Sequence, residues 1–174
     1  MDPRVIIRDA RRDELDELGR LMVAVYSSLA GFPTPTEQPA YYAMLANIGA
    51  LGERPGARLI VAELAGRLVG GVVYFADMAH YGAGGIAASQ RDASGFRLLA
   101  VDPAARGLGV GKALVERCLE LAAATATTQV IIHTTSAMTT AWAMYERMGF
   151  VRSPDLDFMQ EALPVFGFRR EIGR

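Results

Sequence analysis

One segment constrains this chain more than any other. It is a run, Phe96 to Val101, apolar apart from Arg97, stopped by Asp102-Pro103 and followed by Arg106-Gly107-Leu108-Gly109-Val110-Gly111-Lys112. Beyond it, Val110, Leu114, Cys118 and Leu121 recur at helical spacing, with Leu119 and Ala122 widening the stripe. The order is strand, glycine loop, helix. The first amides of a helix have no partner inside it, and with the helix dipole they form an anion site. Glycines at 107, 109 and 111 remove the Cβ atoms that would keep a phosphate off those amides. Arg106 and Lys112 add positive charge at the two ends.

The remaining elements follow from periodicity. Arg4 to Asp9 reads as a short strand. Leu15, Leu18, Met22, Val25 and Leu29 form the buried stripe of a helix that the prolines of Gly31-Phe32-Pro33-Thr34-Pro35 end. A second helix is expected over 36–49, then a loop. Two apolar runs, 58–64 and 68–75, meet at Ala65-Gly66-Arg67, a tight hairpin signal. Residues 77–93 read as either a loop or an extension of that hairpin. Gln129 to Thr134 is a β-branched strand, Met138 to Met148 a helix ended by Gly149, and 150–152 and 165–172 supply two last strands. There is no internal repeat or linker, so residues 1–174 are read as one domain.

Charge and cysteine content narrow the class. With 18 basic and 19 acidic side chains, no strong field favours nucleic acid or an anionic membrane. The longest apolar stretch, Leu68 to Ala76, is interrupted by two glycines and falls well short of the roughly 18 residues of a span. The start lacks a signal-peptide pattern, and a cytoplasmic protein, monomer or homodimer, is expected. Cys118, the only cysteine, falls on the buried stripe and reads as a packed thiol. No cluster has metal-ligand spacing, so no metal is expected.

The loop does not fit two familiar phosphate motifs. Aligning Gly111-Lys112 with a Walker A loop puts Arg106 at its first glycine and Ala113 at its magnesium-binding hydroxyl. The dinucleotide fingerprint starts at Gly107 and Gly109 but meets Lys112 at its third glycine. The pattern that fits is Arg/Gln-x-x-Gly-x-Gly/Ala. Leu98 to Leu114 resembles the acetyl-CoA motif of the GNAT N-acetyltransferase superfamily. Ala141-Trp142-Ala143-Met144-Tyr145-Glu146-Arg147-Met148-Gly149-Phe150 resembles that family's second signature, Ala-x-x-x-Tyr-x-x-x-Gly-Phe.

The resemblance implies the GNAT fold, an α/β (α+β) architecture. Its central twisted sheet is mixed, mostly antiparallel, with about six to seven strands and about four flanking helices, splayed at the acetyl-CoA slot. It implies an acetyl-CoA-dependent N-acetyltransferase in which an amine attacks the thioester directly. The cofactor-binding residues would be Arg106, Gly107, Leu108, Gly109, Val110, Gly111 and Lys112 for the pyrophosphate. The backbone of Leu99, Ala100 and Val101 would take the pantetheine arm, with amides near Leu99 and Ala100 polarising the carbonyl. Tyr145 matches the family's general acid, and a phenol with an ordinary pKa near 10 is protonated at neutral pH. On the residues alone it is equally a core tyrosine on an apolar face.

This chain departs from the family twice. Ala93-Ser94-Gly95-Phe96-Arg97-Leu98 lacks the glutamate that relatives carry near the start of the central strand. Asp92, His133 or bulk water remain as the base, and His133 reads equally as a buried strand histidine. Met138 stands where relatives place an asparagine; Thr135, Ser136 or Thr139 are its candidate replacements. For the acceptor, Tyr26, Phe32 and Tyr41, with Asp157 and Phe158 from the far region, would suit an ammonium group. The acceptor class, a small-molecule amine or a peptide amine, stays open. The competing expectation is a CoA-binding regulatory or interaction module that has lost catalysis.

Overall fold

A single open sheet organises the chain in the computed structural model, which describes residues 2–173. In chain order the elements are β1 (Val5–Asp9), α1 (Leu15–Ser27), α2 (Pro39–Ala46), α3 (Ile48–Gly52), β2 (Ala57–Leu64), β3 (Arg67–Phe75), β4 (Ala93–Val101), α4 (Val110–Ala123), β5 (Gln129–Thr134), α5 (Thr139–Arg147), β6 (Val151–Arg152), β7 (Phe158–Gln160) and β8 (Leu163–Glu171). The sheet runs β1-β2-β3-β4-β5-β8-β6, with β7 against β8. Every pairing is antiparallel except β4 with β5. This is the mixed, mostly antiparallel fold expected, with one strand and one helix more than the sequence indicates.

Strand alternation divides the core into two layers. Val61, Val73 and Phe75 point to one face, where α1, α2 and α3 bury Leu18, Met22, Leu45 and Ile48 against them. Ile60, Ala62, Val72 and Tyr74 point to the other, beneath Leu114, Cys118 and Leu121 of α4 and Tyr145 of α5. The β2–β3 hairpin closes on two residues, Ala65 and Gly66, with φ of 51° and 78°. Both central residues on the left-handed side are the hallmark of a type I′ turn, whose twist matches the strands.

Three local outcomes go beyond the sequence expectation. The helix expected over 36–49 is two helices, broken at Asn47 (φ −101°, ψ 40°). Residues 77–92 do not extend the hairpin; they form a loop with two short turns, Met78–His80 and Ala87–Ser89, and Ala93 begins β4. Strand β7 has no counterpart among the expected elements.

The break at Asn47 lies where α1 crosses most closely. A Cβ on Gly19 would collide with the backbone carbonyl of Ala46. Gly19→Ala should therefore lower stability by about 3 kcal/mol, as overpacking against rigid backbone does. For a chain of this length that is about 10 °C in Tm, checked by thermal unfolding. An unchanged Tm would mean that α1 can move off α2 at no cost.

Two features of β4 shape the site. First, its parallel pairing with β5 covers only Ala93 with Gln129, Ser94 with Val130 and Gly95 with Ile131. Beyond Gly95 the two strands part. Second, the β3–β4 register jumps from Val73↔Arg97 to Gly71↔Ala100. Three residues of β4 span what two of β3 span, which is a β-bulge. Ala93 packs on the α1 face before the bulge and Leu98 and Ala100 after it, while Phe96 and then Leu99 and Val101 belong to the other face. The bulge therefore exchanges the two sides of the strand. Among the described residues no helix is long and apolar enough to cross a membrane.

Candidate active site

The bulge carries a strained residue. Leu98 has φ of 60°, a left-handed conformation that costs a bulky side chain of order 1–3 kcal/mol. Leu98 and Leu99 have no strand partner in either ladder. One of the freed groups is held from α1, where the Tyr26 hydroxyl donates to the Leu99 carbonyl at 2.9 Å. The strain turns a stretch of backbone out of the sheet at the mouth of the gap between β4 and β5.

A cavity of about 80 Å³ opens there. Its lining includes Leu98, Leu99, Thr134, Thr135 and Tyr145, together with Tyr26, Phe32, Tyr41, Arg97 and Phe158. Tyr145 comes from α5, packed against Phe96 at 5.9 Å and Phe150 at 5.7 Å between ring centroids. Burial pushes its phenol well above the usual tyrosine range, so it stays protonated through neutral pH. Thr135 brings a buried Oγ1 with no hydrogen-bond partner among the described residues. Met138 is the residue before α5, and its sulfur accepts from the Thr134 hydroxyl at 3.3 Å.

At the far end of β4, the loop from Arg106 to Gly109 leads into α4. Gly107 and Gly109 have φ of 81° and 79°, conformations that favour glycine. The first helical turn closes with Ala113 N–H on the Gly109 carbonyl at 3.0 Å. The amides of Val110, Gly111 and Lys112 precede it and have no acceptor within the helix. A Cβ at Gly107 would meet nothing within 4 Å, so the space over the loop is open. Arg106 and Lys112 flank its two ends. Open amides, unpaired backbone at Leu98 and Leu99 and the unpartnered Thr135 hydroxyl all fit a pyrophosphate with a long amide-bearing arm.

The candidate bases fare differently. Asp92 is exposed and lines a separate hollow with Ala76, Asp77 and Thr127. It precedes Leu99 by seven residues, about 20 Å along an extended strand, so it does not reach the slot. His133 does line the cavity, but both ring nitrogens are engaged. Nε2 lies 2.9 Å from the Leu156 carbonyl and Nδ1 2.9 Å from the Tyr81 hydroxyl. A carbonyl only accepts, so Nε2 carries the hydrogen and Nδ1 accepts from Tyr81. Burial lowers the His133 pKa below its ordinary value, which keeps the ring neutral. Its one lone pair is already taken.

On the acceptor side the structure brings some of the expected residues together and not others. Tyr26, Phe32 and Tyr41 converge with ring centroids 5.5 to 6.1 Å apart. Asp157 does not join them. Arg152 donates to its two oxygens at 2.9 and 2.8 Å and the Gly167 amide adds a third bond at 2.7 Å. Those bonds hold the carboxyl below its usual range and fix the β6–β8 corner. Asp155 is likewise paired, with Arg169 at 2.6 Å. Arg97, which lines the cavity, and Tyr81, which bonds His133 from outside that lining, are absent from the sequence-based candidates. Tyr81 is fully buried and stacks edge-on to Phe75. It arrives from 77–93, a stretch without periodicity.

The same architecture recurs in known proteins. A family model described as Acetyltransferase (GNAT) family matches residues 22–150. No curated protein sequence matches the chain. Among solved structures, a GNAT-family acetyltransferase from Staphylococcus aureus Mu50 superposes with a TM-score of 0.74 at 17% identity, covering 97% of this chain and 99% of that one. PaiA N-acetyltransferase from Thermoplasma acidophilum, solved with coenzyme A, has a TM-score of 0.74 at 11% identity, covering 96% and 98%. YncA from Salmonella typhimurium, a putative acetyltransferase solved with its cofactor acetyl-CoA, has a TM-score of 0.67 at 15% identity, covering 98% and 95%. With its glycine loop and Tyr145 both inside the matched span, the chain belongs to the GNAT acetyltransferase family.

Proposed function

We propose that the protein is an N-acetyltransferase that moves the acetyl group of acetyl-CoA to a primary amine while both are bound. The observation that carries this reading is the cavity itself. Backbone freed from both ladders at Leu98 and Leu99 lies in the same small space as Tyr145. Acetyl-CoA supplies the acetyl group as an activated thioester.

The chain's own residues do the rest. The amides of Val110, Gly111 and Lys112, flanked by Arg106, hold the pyrophosphate at the positive end of α4. Gly107 and Gly109 keep that approach open. The backbone from Leu99 to Val101 pairs with the pantetheine arm as an added strand, and the Thr135 hydroxyl takes the place of the asparagine that Met138 replaces. The amide at Leu99 is preset to stabilise negative charge on the acyl oxygen, with no reorganisation left to make. Tyr145 delivers a proton to the departing sulfur, and the proton that the attacking nitrogen sheds on amide formation passes through solvent to restore the phenol.

With His133 Nδ1 occupied and Asp92 remote, neither candidate side chain is placed to take the amine's proton. The acceptor therefore binds after losing its proton to water. On this reading kcat/KM rises with pH and levels off at the acceptor's own amine pKa. Acceptors of different basicity should shift the profile accordingly; a plateau fixed at one pH below the ordinary histidine value for all of them would return His133 to the role of base.

The missing carboxylate also supports a second reading, a CoA-binding module without turnover. A panel of small amines, amino acids, peptides and lysine-bearing proteins, assayed with acetyl-CoA for free thiol, separates the two. Turnover above the amine-free rate supports the transferase. Firm CoA binding without turnover on any class overturns it.

A further inference from the structure

Among the described residues Arg97 is the only aspartate, glutamate, lysine or arginine lining the cavity. It stands with the aromatic trio, and its guanidinium lies 5.7 Å from the centre of the Tyr81 ring. Its Nη1 donates to the Tyr81 carbonyl at 2.9 Å. Among the described residues no carboxylate lies within 4 Å of it. Burial pushes the Tyr26, Tyr41 and Tyr81 phenols up and His133 down, and the Arg97 charge offsets part of the first effect and adds to the second.

A second guanidinium adds to the imbalance. Arg54 Nη1 donates to the His80 carbonyl at 3.1 Å, and both Arg54 and Arg97 lie against Gly82. Among the described residues neither is paired with a carboxylate. The acidic groups at this end of the molecule, Asp155 and Asp157, are already taken by Arg169 and Arg152. Two half-buried arginines side by side without an anion leave an unmet electrostatic demand. Arginine meets such a demand best with a planar carboxylate.

Resting on the acetyl-transfer reading above, we propose that the acceptor is an amine carrying a carboxylate on the same small molecule, with Arg97 receiving that carboxylate. Arg97 lines the same cavity of about 80 Å³ as Leu98, Leu99 and Tyr145. So small a space suits an amine and a carboxylate on one carbon, the first directed at the slot and the second at the guanidinium. Tyr26, Phe32, Tyr41 and Phe158 surround the remaining space with aromatic surface. The favoured molecule is thus an α-amino acid with an apolar side chain. An acceptor with additional positive charge is disfavoured, because Arg97 repels it and no carboxylate lines the cavity.

The test uses matched sets: phenylalanine, leucine and methionine, each as free acid, carboxamide and decarboxylated amine. Turnover with acetyl-CoA is compared for the intact protein, Arg97→Gln and Arg97→Lys, with thermal unfolding as a check on folding. The free acids should exceed their carboxamides in kcat/KM by about tenfold to a hundredfold, the range of a charge-assisted hydrogen bond. Arg97→Gln should bring that ratio to about one, and Arg97→Lys should restore part of it. Equal use of acids and carboxamides, or an equal loss on all three in Arg97→Gln, overturns the proposal. If nothing is turned over, the same sets are titrated calorimetrically into CoA-saturated protein. Arg97-dependent binding of the acids then upholds this proposal while discarding acetyl transfer. Absence of any acid-dependent binding overturns it.

Discussion

Gly109→Asp should abolish binding of CoA while leaving the protein folded. Gly109 precedes α4 with φ of 79° and ψ of 16°, and aspartate is among the side chains that tolerate the left-handed region. It is also a favoured residue at a helix start, where its carboxylate accepts from the second or third amide. The substitution therefore satisfies the very amides proposed for the pyrophosphate and adds negative charge there. Like charges about 4 Å apart near a protein surface repel by about 4 kcal/mol, close to a thousandfold in affinity. Calorimetric titration with CoA measures the loss. Gly109→Asn, which keeps the shape and removes the charge, should lose much less. Unchanged affinity in Gly109→Asp would remove the pyrophosphate from this loop.

What is legible in the sequence is local. The loop from Arg106 to Gly111 and the helix after it depend on residues next to one another in the chain, so their spacing carries the information. The hairpin at Ala65 and Gly66 is legible for the same reason. The bulge is not. Phe96 to Val101 reads as one apolar run, and nothing in those letters says that Leu98 takes a positive φ or that Ala100 and Ala93 share a face. That conformation depends on β3 pairing on one side, β5 leaving on the other and Tyr26 reaching in from α1. The break at Asn47 is likewise imposed by the crossing of α1 at Gly19.

The misreadings at the site share one cause. Asp157 reads as available because its partner Arg152 lies in a different element, and carboxylates reveal their pairing only in three dimensions. His133 stays open between base and buried strand histidine for the same reason, its two partners standing 52 and 23 residues away. Arg97 stays silent when β4 is scanned for a carboxylate. An arginine in the middle of an apolar strand is itself a usable signal, since a charge seldom enters a core without a partner or a task.

Tyr145→Phe should lower kcat by about a hundredfold to ten-thousandfold, the usual contribution of a positioned acid, with CoA affinity nearly unchanged. The substitution removes one oxygen and leaves the ring against Phe96 and Phe150. Among the described residues the hydroxyl has no hydrogen-bond partner, so its removal strands no buried group and Tm should hold. The phenol is buried and its pKa raised, which puts its ionisation above the range in which the amine titrates. Rate should therefore not decline on the alkaline side up to about pH 10, the ordinary tyrosine value. Single-turnover measurement with saturating acetyl-CoA isolates the chemical step from product release. A leaving group that needs less help provides the sharper check. An acetyl donor with a more acidic thiol should narrow the gap between the intact protein and Tyr145→Phe. An equal deficit with both donors would assign Tyr145 to packing or placement, and no deficit would end its role in the reaction.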